Sequence, residues 1–225
     1  MKLSIIVAAL DEAPGIVAAL EALRPLRAGG HEVIVADGGS KDGTPARAEG
    51  LADRVIQAPR GRARQMNAGA ALAGGDALLF LHADTRLPPD AGRLVLEALS
   101  RRSWGRFDVR IEGRSPLLAV IAFCMNWRSR LSGIATGDQA IFVRRELFFA
   151  AGGFPDIPLM EDVALSARLK KVSAPACIAA RVATSGRRWE RHGVLRTIFL
   201  MWRLRLAYFC GARPEDLARR YANGA

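Results

Sequence analysis

The chain has 225 residues, half of them hydrophobic, and a formal net charge of +11 at pH 7. This length suits one substantial α/β domain, alone or with a small appendage, and no linker, internal repeat or low-complexity segment divides the sequence. The positive charge is spread along the chain without a nucleic-acid-binding motif, so we expect no nucleic-acid partner.

The three cysteines lie in apolar contexts and lack the spacing of a disulfide framework or a metal site. We expect Cys124, Cys177 and Cys210 to be small buried side chains in a reducing compartment. The segment before the first apolar run is too short for a signal peptide. Together these features predict a cytoplasmic protein.

The first third of the chain alternates strand-like and helix-like segments. Leu3–Ala9 is an apolar run rich in Ile and Val, which is typical of a strand buried on both faces. We expect a helix to start within Asp11–Pro14, and Val33–Ala36 predicts a second strand parallel to the first. The alternation continues with a helix at Asp42–Leu51, a strand at Arg54–Gln57, a helix after a cationic loop and a strand within Asp76–Asp84.

The second strand runs directly into a turn that begins at Asp37. Ligands of open α/β sheets bind at the carboxyl ends of the strands, so we expect Asp37 to face a ligand. The loop after the first strand, AALDEAPG, lacks the Gly-x-Gly-x-x-Gly pattern of dinucleotide-binding folds, which argues against an NAD or FAD site. Carboxylates near that loop predict another kind of nucleotide contact.

Two further loops carry candidate ligand-binding groups. The arginines of Arg60–Gly69 lie at a helix start, where positive charge opposes the helix dipole. A bound diphosphate would remove this conflict, and a solvated basic helix start is the alternative. The strand within Asp76–Asp84 ends in His82 and Asp84, which can approach a hard divalent cation, and an ordinary hydrogen-bonded loop is the alternative there.

The second half of the chain contains one wetter strand and two amphipathic segments. Gly105–Ile111 alternates and predicts a strand with one wetter face. Pro116–Trp127 is too short to span a bilayer as a helix and predicts a mixture of core helix and membrane-facing edge. His192–Tyr208 predicts a basic amphipathic helix, in a region, 181–225, with ten Arg and three acidic residues. This helix lies on a membrane or packs on the domain or a partner, and packing is the preferred interpretation.

Glu161 and Asp162 open another helix-like segment. Acidic side chains in the first turn stabilise the helix dipole, and this role explains both residues without any catalysis. A catalytic role requires evidence beyond their spacing.

Seven motifs occur in order along the chain: ALDE, ADGGSKDGT, HADT, GDQAIFVRR, GGF, MED and RRW. This set resembles the inverting glycosyltransferases of family 2, which have the GT-A fold, and it covers nearly the whole chain. Within that family the sequence is similar to the small bacterial group described as arsenosugar-biosynthesis-type glycosyltransferases. That subgroup says little about the substrate.

The resemblance implies an α/β fold of GT-A (Rossmann-like) type, with a mostly parallel central sheet flanked by helices and with C-terminal amphipathic helices. It implies a single domain over residues 1–225. Residues 1–100 would form the nucleotide-sugar-binding half, residues 101–190 the acceptor and catalytic half, and residues 191–225 a C-terminal helical segment.

The family motifs also imply site residues. Asp162 is the expected general base, with Glu161 in a supporting role, and Asp84 and His192 are the expected ligands of Mg²⁺ or Mn²⁺. The donor-binding residues implied are Ala9, Leu10, Glu12, Asp37, Gly38, Arg64, Asn67, His82, Ala83 and Asp84. Those implied near the acceptor and the diphosphate are Gly137, Asp138, Arg187, Arg188 and Trp189.

Two motifs depart from the family pattern. His82 replaces the usual first carboxylate of the Asp-x-Asp motif, which leaves metal affinity and nucleotide preference open. DGGS replaces the more frequent DDGS and removes one candidate contact to the uracil or ribose.

The resemblance thus predicts a metal-assisted, inverting transfer of a sugar from a nucleoside-diphosphate-sugar to a hydroxyl acceptor, which the sequence does not identify. A lipid-linked acceptor is a subsidiary hypothesis, which adds peripheral contact with the inner face of the membrane. A homodimer is left open. The alternatives are a sugar-phosphate nucleotidyltransferase, whose Gly-rich loop after the first strand is missing here, and a non-catalytic module that binds nucleotide-sugars or membrane surfaces.

Overall fold

Strands and helices alternate in the first half of the chain, as the apolar pattern predicts. The computed structural model describes residues 1–223. Its first elements are β1 (Leu3–Ala9), α1 (Ile16–Ala28), β2 (Glu32–Asp37), α2 (Thr44–Ala48), β3 (Arg54–Gln57), α3 (Arg62–Leu72), β4 (Ala77–His82), β5 (Thr85–Arg86) and α4 (Ala91–Arg101).

The second half adds three strands, six α-helices and a short 3₁₀ helix, within the described residues. They are β6 (Trp104–Glu112), α5 (Leu117–Ser132), the 3₁₀ helix Gly137–Gln139, β7 (Phe142–Arg144), α6 (Arg145–Ala150), α7 (Glu161–Lys170), β8 (Ala176–Ser185), α8 (Arg187–His192), α9 (Val194–Phe209) and α10 (Pro214–Asn223).

The strands form one eight-stranded sheet in the order β3-β2-β1-β4-β7-β6-β8-β5. Strands β3, β2, β1 and β4 are parallel, and so are β6 and β8. Strand β7 is antiparallel to both of its neighbours, and β5 is antiparallel to β8. The predicted α/β fold, with a mostly parallel sheet flanked by helices, is confirmed. Its parallel half brings the carboxyl ends of β1, β2 and β4 to one edge.

Helices cover both faces of the sheet. Helices α1, α4 and α5 contribute apolar side chains to the core on one face. Helices α3, α6 and α7 do so on the other face. A third, smaller apolar cluster joins the start of α7 to α9 and α10. Because a buried strand must be apolar on both sides, this layering explains the continuous apolar runs of β1, β2 and β4.

Helix α3 lies unusually close to the sheet at Gly69. A Cβ atom on Gly69 would lie 2.5 Å from Cγ2 of Ile6, which is fully buried in β1. Glycine is therefore required here for close packing between helix and strand.

The prediction that the strand Gly105–Ile111 has one wetter face is wrong over most of the length of the strand. Residues 104–109 are all buried, and Arg106 has no exposed surface. Its guanidinium forms an ion pair with Asp108, whose other oxygen accepts a 2.6 Å bond from Arg130. Pairing of the charges allows this polar pattern to be buried.

Three other sequence predictions need correction. Helix α1 begins at Ile16 rather than within Asp11–Pro14, because the backbone N–H groups of that segment donate hydrogen bonds to the side chains of Asp42 and Thr44. The second helix covers only Thr44–Ala48 rather than Asp42–Leu51, and Gly50, with a φ of +75°, lies beyond its end. The helix expected at His192–Tyr208 is two helices separated by Gly193, with a φ of +83°.

The cysteines are free, but they are not buried as expected. Cys124 and Cys210 are exposed and Cys177 is partly buried. Cys124 lies on the outer face of α5 and Cys210 follows the last turn of α9, so the apolar neighbours in the sequence did not indicate burial. Within residues 1–223, no helix combines the length and the apolar character needed to cross a membrane.

Candidate active site

A cavity of about 640 Å³ opens at the carboxyl ends of β1 and β4. The loops after these strands, the start of α7 and helices α8, α9 and α10 all contribute to its wall. Ligands of open α/β sheets bind at this edge. The predicted site residues that line the cavity are Ala9, Leu10, Glu12, His82, Ala83, Asp84, Asp138, Glu161, Asp162, Arg187, Arg188 and Trp189.

The exits of β1 and β4 are joined by Arg187. Its guanidinium donates to both carboxylate oxygens of Glu12, one of them at 2.9 Å, and its Nη2 lies 3.4 Å from Oδ2 of Asp84. The three side chains come from positions 12, 84 and 187, which are distant in sequence. One arginine therefore connects two carboxylates at the mouth of the parallel sheet.

His82 ends β4 and contacts the 3₁₀ helix. Its Nδ1 lies 3.5 Å from Oδ1 of Asp138. Burial lowers the pKa of His82, but the hydrogen bond and the negative charge of Asp138 outweigh burial, so the pKa is raised above its ordinary value. A Cβ atom on Gly137 would lie 2.6 Å from the His82 ring, so this contact requires a glycine.

Asp84 lines the cavity at the exit of β4, beside Arg187. Burial raises the pKa of Asp84, while the positive charges of His82 and Arg187 lower it, with burial dominant. Within residues 1–223, no three His, Cys, Asp or Glu side chains converge as a protein-only metal site. Mg²⁺ is commonly held by one or two carboxylates together with substrate phosphates, and a single Asp84 fits that kind of site.

His192, the other expected metal ligand, does not line this cavity. It lies in a neighbouring pocket with Arg188 and Arg191. Burial and the positive charges of Arg188, Arg191 and Arg196 lower the pKa of His192. A cation would be repelled by the same arginines, so the structure gives His192 no support as a ligand.

Glu161 and Asp162 both reach the cavity from the first turn of α7. Glu161 is 4% exposed and lies 3.2 Å from Nε of Arg62. Burial and the charge of Asp162 raise the pKa of Glu161 above its ordinary range, although Arg62 opposes them. Asp162 accepts bonds from the backbone N–H of Gly137 at 2.8 Å and of Val163 at 2.7 Å. These backbone bonds fix the orientation of its carboxylate, and Gly137 acts through them rather than by lining the cavity.

Asp37 and Gly38 do not line the cavity, which corrects the expectation that Asp37 faces a ligand. The buried Asp37 carboxylate accepts bonds from the backbone N–H of Gly39 at 2.9 Å, from that of Ser40 at 2.8 Å, and from the Ser40 hydroxyl. The N–H of Gly38 donates to Ala9 at 2.9 Å. The bonds of both residues hold the turn against β1.

Arg64 and Asn67 also lie outside the cavity wall. Arg64 forms an exposed ion pair with Asp156 at 2.7 Å, and Asn67 bonds the backbone of Phe154 in both directions. Arg62 and Gln65 of the same helix line the cavity instead. The sequence indicates the cationic segment but does not show which face of α3 points inward.

The C-terminal helices contribute residues that the sequence did not single out. Thr197, Met201 and Arg205 of α9 and Tyr221 of α10 line the cavity. The Arg188 guanidinium carbon lies 3.6 Å from the centre of the Tyr221 ring, a cation–π contact. The amphipathic pattern of α9 indicated a buried face but did not show that this face closes a cavity.

The family model for glycosyl transferase family 2 matches residues 4–144. A search of curated proteins finds no match.

Three solved structures with a similar fold contain a nucleotide or a nucleotide-sugar. A mannosyltransferase from Pyrobaculum calidifontis, solved with GDP-Man and Mn²⁺, is 19% identical with a TM-score of 0.68, and the match covers 99% of this chain and 69% of that one. Glucosyl-3-phosphoglycerate synthase from Mycobacterium tuberculosis, solved with Mn²⁺, UDP and glucosyl-3-phosphoglycerate, is 21% identical with a TM-score of 0.65, covering 94% and 80%.

The third is residues 1–349 of S. aureus TarS with UDP-GlcNAc, 16% identical with a TM-score of 0.66, covering 82% of this chain and 58% of that one. Three structures of this TarS fragment are matched, and in each the match spans less than two thirds of the fragment, between 58% and 64%. At these identities the likeness establishes the fold.

Proposed function

The chain belongs to glycosyl transferase family 2, and we propose that it transfers a sugar from a nucleoside-diphosphate-sugar to a hydroxyl acceptor with inversion at the anomeric carbon. The observation that carries this proposal is one cavity that holds both Asp84, at the exit of β4, and the Glu161–Asp162 pair of α7. Nucleotide-sugar complexes of the similar GT-A structures support the donor class.

We assign the general base to Asp162. Its two backbone hydrogen bonds orient the carboxylate, and each oxygen keeps a lone pair that can accept the proton of an acceptor hydroxyl. The hydroxyl oxygen then attacks the anomeric carbon as the bond to the diphosphate breaks. Glu161 is buried and paired with Arg62, so it is less available to an acceptor hydroxyl and holds Arg62 in place.

Positive charge for the departing diphosphate would come from the chain and from a metal ion. Arg60, Arg62 and Arg187 line the cavity near the strand exits and suit phosphate oxygens. Asp84, with the donor phosphates, would hold Mg²⁺ or Mn²⁺, which supplies further charge stabilisation for the leaving group when bound. The neighbours solved with Mn²⁺ support this assignment.

The donor contacts follow from the same cavity. We place the nucleotide against the exits of β1 and β4, contacting Ala9, Leu10, Glu12, His82 and Ala83. Asp37 and Gly38 would act indirectly, by fixing the turn behind β1.

We propose that three parts of the chain have different functions. Residues 1–100 would bind the donor, 101–190 would carry the base and acceptor contacts, and the segment from 191 onward would close the cavity. Assignment to the arsenosugar-type subgroup, on motif resemblance, and a cytoplasmic location are likewise proposals.

We also propose peripheral contact with an anionic membrane. Helices α5 and α9 each carry five large apolar side chains that are at least 41% exposed, at the spacing of one helix face: Leu117, Val120, Phe123, Trp127 and Leu131, and Leu195, Phe199, Trp202, Leu206 and Phe209. Exposed arginines lie within or next to these helices in the sequence: Arg114, Arg191, Arg196, Arg203 and Arg213. An exposed apolar face with a basic border matches an interfacial helix on anionic lipid.

The function is tested by incubating the protein with a panel of UDP-, GDP- and dTDP-sugars and Mn²⁺ and measuring release of the nucleoside diphosphate. We expect slow hydrolysis of at least one donor. Binding without turnover, for every donor and every acceptor tried, would favour the non-catalytic binding module. Release of nucleoside triphosphate from a sugar donor and pyrophosphate would favour the nucleotidyltransferase.

A further inference from the structure

Helices α9 and α10 pack directly beside the Glu161–Asp162 pair. Leu204 of α9 and Leu217 of α10 share an apolar cluster with Met160 and Val163, which flank the two carboxylates in sequence. The residue after Leu204 is Arg205, which lines the cavity. The C-terminal helices therefore bring a guanidinium to the part of the cavity that adjoins the proposed base.

Three arginines of the cavity wall have no acidic partner. Within residues 1–223, Arg62 and Arg187 are paired with carboxylates, whereas Arg60, Arg188 and Arg205 form no ion pair. The Nε atoms of Arg188 and Arg205 are buried and have no hydrogen-bond partner among the described residues. A buried donor without an acceptor is costly, so these side chains are suited to a ligand that brings anionic oxygens.

Arg188 and Arg205 come from the helical part of the cavity wall. Arg188 stacks on Tyr221, and Tyr221 packs against the cluster that joins α7 to α9 and α10. Arg188 also borders a second pocket with Leu10 and Glu12, whereas Arg205 does not. Arg205 is thus tied to the side of the cavity that adjoins the proposed base, and Arg188 is tied to the same side through Tyr221.

We propose that the acceptor carries a phosphate monoester, bound by Arg188 and Arg205, while its hydroxyl is directed to Asp162. This inference rests on the proposed function and adds the chemical class of the acceptor. Two guanidinium groups match the charge of −1.5 to −2 of a phosphate monoester and its three acceptor oxygens. A water-soluble phosphate ester and a lipid phosphate share this chemistry.

To test this, inorganic phosphate is titrated into the 225-residue protein, which is first saturated with Mn²⁺ and UDP or GDP. Binding is measured by isothermal titration calorimetry. With the donor diphosphate site filled, we expect wild type to bind one phosphate and Arg205→Gln to bind it at least tenfold more weakly. Arg203→Gln, on the exposed side of the same helix, should match wild type. Nucleotide affinity should be unchanged in both variants. Because Arg205 forms no ion pair among the described residues, we expect Arg205→Gln to unfold at the same thermal midpoint as wild type.

Absence of phosphate binding to the nucleotide-saturated protein, or equal binding by Arg205→Gln, would overturn the inference. A parallel loss of nucleotide affinity in Arg205→Gln would assign this arginine to the donor and also overturn it. If no nucleotide binds at all, the proposed function fails, whereas Arg205-dependent phosphate binding to the nucleotide-free protein would still support the anion site.

Competition identifies the source of the phosphate. Glycerol 3-phosphate represents a soluble acceptor, and 1-acyl-glycerol 3-phosphate in micelles represents a lipid acceptor with the same headgroup. We expect at least one of them to displace phosphate from wild type, and glycerol to displace none. Failure of both phosphate esters to compete would contradict an acceptor of this class.

Discussion

The buried carboxylate of Glu161 should make the free energy of unfolding depend on pH. Its pKa is raised by burial and by Asp162, so the folded state binds the proton more tightly than the unfolded chain does. Stability contributed by protonated Glu161 is therefore present at acidic pH and is lost as pH rises from the unfolded pKa, near 4.5, to the raised folded pKa.

Substitution of Glu161→Gln removes this titration. We expect the stability of the variant, relative to wild type, to increase between pH 4 and pH 8, measured as the difference in free energy of unfolding in urea at each pH. Asp156→Asn, a substitution of an exposed carboxylate, should show no such increase. A constant difference between Glu161→Gln and wild type across this range would contradict a raised pKa.

Gly69 tests the close contact between α3 and β1. A Cβ atom 2.5 Å from Cγ2 of Ile6 forces either the helix or the strand to move, so we expect Gly69→Ala to lower the free energy of unfolding by about 1–3 kcal/mol. Gly15→Ala is the matched control, because no atom lies within 4 Å of its Cβ position and its φ is −116°. That variant should differ from wild type by less than about 0.5 kcal/mol. Equal urea midpoints for Gly69→Ala and wild type would show that the contact is not tight.

Most of the site residues named from the sequence line the cavity, but the sequence does not show their mutual arrangement. Glu12, Asp84 and Asp162 follow from motif position, because strand exits and a helix start converge in this topology. Asp37 has the same kind of position, yet its oxygens are used by its own turn. A carboxylate at a strand exit either lines the cavity or bonds to the backbone of its own turn. The sequence pattern is the same in both cases, and the local hydrogen bonds of the short Asp side chain decide between them.

At the scale of elements, strands were predicted better than helix ends. The bounds of β1 and β3 agree with their sequence predictions. For β1 the reason is that an apolar run is determined by burial of the strand itself. The start of α1 depends on long-range bonds, such as that from the N–H of Glu12 to the Thr44 hydroxyl at 2.9 Å. No local pattern contains such a contact.

The exposed apolar faces of α5 and α9 are the elements that test membrane contact. We expect wild type to float with vesicles containing anionic phospholipid, and less at high salt because the arginines contribute through screened electrostatics. The double substitution Phe199→Gln and Trp202→Gln should reduce flotation strongly. Phe149→Gln, at an exposed phenylalanine of α6, is the control and should float as wild type does.

Absence of flotation by wild type would contradict membrane contact. If light scattering then shows a dimer that the double substitution converts to a monomer, a second copy of the chain covers these faces instead.

At the scale of the whole molecule, the cavity depends on segments from the entire described chain. The parallel half of the sheet supplies the strand exits, α7 supplies the carboxylate pair, and α9 and α10 close the wall beside that pair. The α/β class follows from the alternation of strands and helices in the sequence. The C-terminal closure does not, because an amphipathic pattern shows that a face is buried and not what it covers.

The most direct measurement compares Asp162→Asn with wild type, using the donor that the panel identifies. We expect the rate of donor turnover at saturation to fall by about 10²–10⁴-fold, because a positioned general base is lost, while the KM for the donor changes little. Asp156→Asn, at an exposed carboxylate outside the cavity, should turn over the donor as wild type does. Turnover by Asp162→Asn at the wild-type rate would contradict the assignment of the base and, with it, the proposed use of this cavity.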